Sequence, residues 1–431
     1  MSVASTDEKG RLTNWAGNLV YSAARLHEPE SIEQLQEIVS ASPSLRVLGS
    51  RHSFNDIADT TGEHVSLARM PRIFELDSAA GTVTVDGGVR YGDLCVPLDA
   101  AGWALHNLAS LPHISVAGAC ATATHGSGDR SGNLATAVSA LEVVTADGEL
   151  VRFARDNKGD DDFNGAVVSL GGLGAVTRLT LDLQPAFRMR QDIYEDLPLL
   201  NAVHHFDELT ATADSVSLFI EWKGPIVEEL WLKRRVRDGE EFEPPPELFG
   251  ATRATVKLHP IRRLPADSCT DQLGVPGPWH LRLPHFRMEF TPSTGAEIQT
   301  EYLLPRDHSV DALLAIDAIR AQIQPVLQVA EVRTVAADDL WMSTAYGRPS
   351  TAFHFTWIAD WDAVRPVIPI VEEALGPFDP RTHWGKVFTM PPEAVQSTYE
   401  KLPAFVELLG RHDPGGKFRN AFLDRYIFGG S

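Results

Sequence analysis

Leu327-Gln328-Val329-Ala330-Glu331-Val332-Arg333-Thr334 reads as a strand in which polar residues recur at spacing two. Successive side chains of a strand point to opposite faces, so Glu331 and Arg333 project from one face while Val332 points to a core. His354 and Thr356 repeat the arrangement around Phe355. Trp384 and Lys386 are expected to share one face of a third strand, with His383 on the other unless Gly385 makes a bulge. One sheet face would then carry both charges, an imidazole and a hydroxyl. Such a face is either solvated or the wall of a pocket with convergent polar groups, and the pattern supports the two readings equally.

Further strands are expected at 215–222, 229–235, 287–291 and 298–304, with helices at 309–322 and 362–375. Strands followed by returning helices predict a large antiparallel sheet backed by helices on one face. Its other face must meet something. Upstream, Ser31 and Gln34 form a capping-box pattern before Leu35, Ile38 and Val39, which predicts a helix. A short apolar run at 45–48 stops at Gly49, 82–86 alternates Val83 and Val85 before Gly87-Gly88, and 141–145 meets 149–153 across an Asp147-Gly148 turn. This half reads as α+β. The stretches 240–246 and 275–278 read as surface loops, and a last helix at 392–410 precedes a tail at 413–418 that returns to the first half. The expected division is 1–187, 188–386 and 387–431.

The chain has 431 residues with 38 Lys+Arg and 58 Asp+Glu, a net charge of −20. That excess repels phosphate backbones and anionic lipid, so neither nucleic acid nor a membrane is an expected partner, and a neutral or cationic small substrate stays open. Cys95, Cys120 and Cys269 are far apart and odd in number, which draws no disulfide framework and no zinc pattern. No apolar run suits a secretory signal or a membrane span, so a cytoplasmic protein is expected.

Two small-residue tracts could carry chemistry. Arg46-Val47-Leu48-Gly49-Ser50-Arg51-His52-Ser53-Phe54 sets a strand end before small residues and a histidine, where backbone N–H groups can approach an anion; His52 read alone is more often a surface or satisfied turn histidine than a functional one. Ser115 to Gly128 lacks large side chains over most of its length, which suits contact with an extended phosphate-bearing ligand or tight helix packing followed by a loop. Gly126, Gly128 and Gly132 miss the GxGxxG spacing, and P-loop, HExxH and Gly-x-Ser-x-Gly patterns are absent. No metal site is expected.

Several stretches together resemble the alditol oxidases, a group within the vanillyl-alcohol oxidase type of FAD enzymes: Asn14 to Asn18, Gly49 to Asn55, Ala109 to Gly118, Thr124 to Gly128, Val275 to His280, Glu331 to Ala337 and His383 to Lys386. The resemblance covers nearly the whole chain. It implies an α+β fold in which 1–187 is an FAD-binding domain, 188–386 a substrate domain built on the antiparallel sheet, and 387–431 a segment returning to the first. It also implies FAD joined covalently to His52 and cradled by Val47, Leu48, Gly49, Ser50, Arg51, Ser53, Ser115, Gly118, Thr122, Ala123, Thr124 and His125, with Val176 and His383 completing the contacts. Arg51 stands where the family's familiar residue is glycine, which adds bulk and charge to that loop.

The implied reaction takes the terminal primary alcohol of xylitol or sorbitol to the aldehyde by hydride transfer to flavin N5, with oxygen reduced to hydrogen peroxide. Lys386 and Arg333 would stabilise charge on the substrate oxygen, His354 would take or relay its proton, and Ser110, Glu331 and Thr356 would hydrogen-bond the chain hydroxyls. Ala109, small and just before Ser110, would leave oxygen a way to the ring. A monomer acting on a small polyol is expected. The alternatives are an aldonolactone oxidase and a flavin- or polyol-binding protein without turnover.

Overall fold

The computed structural model describes residue 6 and residues 10–156, 161–237, 239, 242–290 and 296–429. Glu240 and Glu241 of the expected loop, and Thr291 of the expected strand, lie outside the described residues.

Alternation of apolar and polar residues builds the sheet of the second half. Its strand order is Glu247–Leu248, Ala251–Arg253, Arg188–Pro198, Ile226–Val236, Ser215–Ile220, Leu327–Val335, Ser350–Ile358, Glu297–Pro305 and Arg381–Thr382, all antiparallel, with Gly277–Pro278 added beside Arg188–Pro198. One face carries Ala330, Val332, Phe353, Phe355, Trp357, Ile298, Tyr302 and Leu304, packed with Leu313 and Ile316 of the Ser309–Ala318 helix and Ile368, Val371 and Leu375 of the Ile368–Leu375 helix. Burying each of these large side chains contributes about 1.5–3 kcal/mol, which fixes the register and so fixes what the opposite face presents. That face carries Val329, Glu331, Arg333, His354, Thr356, Gln299 and Glu301, and it meets the first half of the chain across a cleft.

In the first half, Leu45–Val47 and Arg25–His27 flank Glu63–Val65 in a parallel three-stranded sheet, and an antiparallel five-stranded sheet runs in the order Phe74–Asp77, Thr82–Asp86, Ala175–Asp182, Val138–Val144, Leu150–Ala154. The Ile32–Ala41 helix starts where its cap predicts, with the Gln34 N–H donating to Ser31 Oγ at 3.3 Å. Residues 413–418 lie on this half. The Leu45 N–H donates to Lys417 O at 2.8 Å, and Phe418 packs with Leu35, Val39, Leu45 and Val65.

The differences from the sequence reading have local causes. Residues 287–290 form a turn rather than a strand, the Phe290 N–H returning to Arg287 O while Arg287 pairs with Asp271 at 2.7 Å. The helix expected at 362–375 is two, Trp361–Val364 and Ile368–Leu375, because Pro366 between them supplies no N–H and Pro369 suits only a first turn. Likewise Pro403 opens a new helix, so 392–410 divides into Pro392–Ser397 and Leu402–His412. The helix at 309–322 breaks at Ile319 into Ser309–Ala318 and Arg320–Ile323.

Candidate active site

The largest correction concerns the His-Trp-Gly-Lys stretch. Its strand ends at Thr382, and residues 383–386 form a turn closed by the Lys386 N–H donating to His383 O at 3.0 Å. The turn at Gly385 keeps Lys386 on the cleft side, as expected, and exchanges His383 with Trp384. His383 and Lys386 both line the cleft, while Trp384 is fully buried on the other side, its indole N–H donating to Met342 O at 2.8 Å.

Opposite the sheet, the loop after Leu45–Val47 is held at many points. The Asn14 side-chain amide donates to Ser53 O at 2.9 Å and that of Asn18 to Phe54 O at 2.8 Å. The Phe54 N–H donates to Gly385 O at 2.8 Å, and the Asn55 amide donates to Trp384 O at 2.9 Å and Lys386 O at 2.7 Å. The loop is therefore tied directly to the turn that carries Lys386. Within it Arg51 adopts a left-handed φ of 63°, the conformation that favours glycine. Its guanidinium donates to Thr13 O at 2.9 Å, and its carbonyl accepts from the Trp15 N–H at 2.8 Å, so the left-handed conformation is held by anchoring on both sides.

His52 stacks on Trp15 with ring centroids 5.4 Å apart. Both ring nitrogens are buried without a well-formed hydrogen bond, and burial followed by the neighbouring His113 pushes its pKa down to about 3. A buried imidazole with unsatisfied nitrogens is an exception that asks for a partner. Beside it the chain comes very close to itself: the Ser115 N–H donates to Ser50 Oγ at 3.0 Å, and a Cβ on either Gly49 or Gly118 would stand 2.7 Å from Ser115 Oγ. The absence of side chains there leaves a channel that a long flat cofactor with a pyrophosphate fits. Val47, Leu48, Gly49, Ser50, Arg51, His52, Ser53, Ser115, Gly118, Thr122, Thr124, His125 and His383 line the cleft. Ala123 and Val176 do not; Ala123 is a fully buried left-handed turn residue, and Val176 packs against the core of the first half.

The sheet wall is an ordered charge network. Glu301 sits opposite His354, which sits opposite Glu331. Arg333 donates to Glu301 at 2.9 Å and to Ser110 Oγ at 3.3 Å, and its Nε lies 3.5 Å from Glu331. His125 Nε2 lies 3.2 Å from Glu301 Oε1 and His354 Nδ1 lies 3.6 Å from Glu301 Oε2, while His354 Nε2 meets Thr356 Oγ1 at 3.2 Å. Burial alone would raise the Glu301 carboxyl, but His125, His354 and Arg333 outweigh it and hold the group well below the usual range. Glu331 is lowered in the same way against its burial, by Arg333 and His285. Lys386 donates to Gln299 Oε1, its ammonium stands 4.8 Å over the Phe54 ring, and burial draws its pKa down to about 8. Every residue assigned to the substrate by sequence lines the cleft: Glu331, Arg333, His354 and Thr356 from the sheet, Ser110 from a loop of the first half and Lys386 from the turn.

Gln299 and Glu301, in the strand expected at 298–304, and Glu297 just before it were not singled out, although they recur at spacing two, the very pattern that marked Glu331 and Arg333. Trp15, Phe219 and His285 also line the cleft. His285 comes from a non-repetitive segment and carries no such signal.

Family comparisons agree with this geometry. A model described as FAD binding domain matches residues 23–154, and one described as D-arabinono-1,4-lactone oxidase matches residues 294–426. The chain is 51% identical over 415 residues to an alditol oxidase of a Streptomyces species, covering 96% of this chain and 98% of that one. The chain belongs to the alditol oxidase family of FAD-linked enzymes. It is 27% identical to an L-gulono-1,4-lactone dehydrogenase of Mycobacterium tuberculosis, over 96% of this chain and 98% of that one. A cholesterol oxidase crystal structure from B. sterolicum shares the fold at a TM-score of 0.76 and 13% identity, covering 99% of this chain and all of that one. The α+β architecture and the FAD-dependent oxidoreductase class follow from these likenesses together. No helix among the described residues is long and apolar enough to cross a membrane.

Proposed function

We propose that the cleft binds an alditol such as xylitol or sorbitol and that its terminal primary alcohol is oxidised to the aldehyde. The observation that carries this reading is the lining of the cleft, where Arg333, Lys386, Glu331, Glu301, His354, Thr356 and Ser110 share one cavity with His52. FAD, joined to His52 in this reading, supplies two-electron acceptance when bound and passes the electrons to molecular oxygen, yielding hydrogen peroxide. The chain's own residues do the rest. The guanidinium of Arg333 and the ammonium of Lys386 favour negative charge on the carbinol oxygen as its hydrogen leaves as hydride. His354 is kept neutral near pH 7, because burial lowers its pKa, and so can accept the hydroxyl proton. Glu331, held anionic, accepts from chain hydroxyls, and Ser110 and Thr356 can both donate and accept. A wall of this kind discriminates against substrates lacking those hydroxyls, whose absence would leave its buried groups unpaired.

The reading includes a cytoplasmic monomer; three buried cysteines, none in a disulfide, suit a reducing compartment. The family model described for arabinonolactone oxidase keeps aldonolactones as the competing substrate class. Side-by-side oxygen-uptake assays on xylitol and gulono-1,4-lactone separate them, with preferential xylitol consumption and peroxide production expected. Acid precipitation tests the link: yellow colour stays with the polypeptide if His52 holds the flavin, and colour in the supernatant contradicts it.

A further inference from the structure

Lys233, in the Ile226–Val236 strand, is about 1% exposed and lies outside the set of side chains assigned to the substrate. Its ammonium has three hydrogen-bond partners: Leu283 O at 2.6 Å, Pro284 O at 3.0 Å and His285 Nδ1 at 3.0 Å. None is a carboxylate, so this lysine is not buried there to complete an ion pair. As the ammonium, Lys233 commits two hydrogens to the Leu283 and Pro284 carbonyls and the third to His285 Nδ1, while burial draws its pKa down to about 7. The proton on His285 Nε2 is fixed independently by the Glu331 carboxylate, whose Oε1 stands 2.8 Å away and which is held anionic and can only accept. An imidazole that accepts at Nδ1 carries its proton on Nε2 when neutral, and burial followed by the charge of Lys233 keeps His285 neutral by drawing its pKa down to about 4. The ring is fixed in place, edge-on to Phe219 at 5.4 Å and to Trp231 at 5.2 Å, with its backbone N–H on Ser110 O at 3.1 Å.

We propose that Lys233 and His285 are positioning residues: Lys233 anchors His285 at Nδ1, and the Nε2–H of His285 holds the Glu331 carboxylate in one orientation as an acceptor on the cleft wall. One oxygen of Glu331 is thereby engaged by His285 and near Arg333, which leaves the other to receive substrate hydroxyls. The assignment of Glu331 to substrate rests on the alditol reading above; the tautomer does not.

His285→Gln and His285→Leu form the decisive pair. A glutamine can keep an acceptor toward Lys233 and a donor toward Glu331, whereas leucine supplies neither. Loss of a hydrogen bond to a charged group predicts that H285L raises the KM for xylitol by about 10- to 100-fold with a smaller change in kcat, while H285Q stays within about threefold of the parent. Histidine 15N chemical shifts on the intact holoenzyme give an independent readout: His285 should be protonated at Nε2 and bare at Nδ1, and Lys233→Met should keep that proton while moving the Nδ1 resonance as its donor is lost. Equal impairment of H285Q and H285L, an unchanged KM in H285L, a proton on Nδ1 in the parent, or an Nδ1 resonance unmoved by Lys233→Met overturns the proposal. A parent enzyme that does not consume xylitol would instead sink the alditol reading, and the 15N shifts would still decide the tautomer.

Discussion

Lys386 is the side chain on which electrostatics and position most directly combine. Its ammonium is buried, bound to Gln299 and held over Phe54, and its pKa near 8 leaves it mostly charged at neutral pH. Lys386→Met should lower kcat by about 100- to 1000-fold, as removal of a group that stabilises transition-state charge does elsewhere. Flavin content, read from the visible spectrum of the purified protein, should change little, because the loop carrying His52 is fastened to the backbone of Trp384 and Lys386 rather than to this ammonium. Because burial lowers this pKa, the charged form is lost as pH rises through about 8, so kcat/KM for the parent should fall on that limb. At this scale the sequence was informative wherever a residue sat in a strand with apolar neighbours. Glu331, Arg333, His354 and Thr356 could be placed because Val332 and Phe355 had to face the core. His383 and Trp384 could not, since a turn at Gly385 reverses the alternation and only backbone hydrogen bonds reveal it.

Elements are knitted to one another by buried polar side chains that no periodicity announces. Arg46, on the short Leu45–Val47 strand, donates to Gly171 O and Phe418 O at 2.8 Å, to Leu170 O at 2.9 Å and to Ile57 O. One guanidinium thereby satisfies four carbonyls from three separate segments beside the cofactor channel. Arg46→Met would leave those carbonyls buried and unpaired, and a loss of about 3 kcal/mol or more is expected in denaturant unfolding. The capping box at Ser31, the hairpin around Gly148 and the long strands of the large sheet were legible because propensity, cap and pattern agree locally. The Ala421–Tyr426 helix was not expected. Its start is fixed by Asn420, whose side-chain oxygen caps Leu423 while its amide donates to Ile57 O and Asp59 O, partners more than 350 residues away in sequence.

Across the whole molecule, burial of ionisable groups sets the pH range in which the fold is stable. Burial holds His52 and His383 near pKa 3 and His259 and His285 near 4, below their ordinary value. Between those values and about 6.5 the unfolded chain binds more protons at these four histidines than the native one, so their contribution is full above about pH 6.5 and declines as pH falls. Glu228 and Glu229, raised by burial to about 7 and about 8, act in the opposite sense and lose stability as pH rises above about 4.5. Glu301 and Glu331 act in the same direction as the histidines at lower pH, their contribution being lost as pH drops below the ordinary carboxylate value of about 4.5. Thermal unfolding of the apoprotein should therefore show a Tm that falls from about pH 4.5 to about pH 3, where the lowered histidines and the lowered carboxylates act together; a flat profile there would mean that these groups are not buried as described.

The central claim is that one wall of the large sheet grips a polyol beside an FAD tethered at His52. Anaerobic addition of xylitol to the purified holoenzyme, followed by its visible spectrum, tests it in one step. Bleaching of the flavin band at a rate compatible with turnover is the predicted result. A spectrum that stays unchanged with xylitol and sorbitol, whether or not gulono-1,4-lactone bleaches it, would contradict the account.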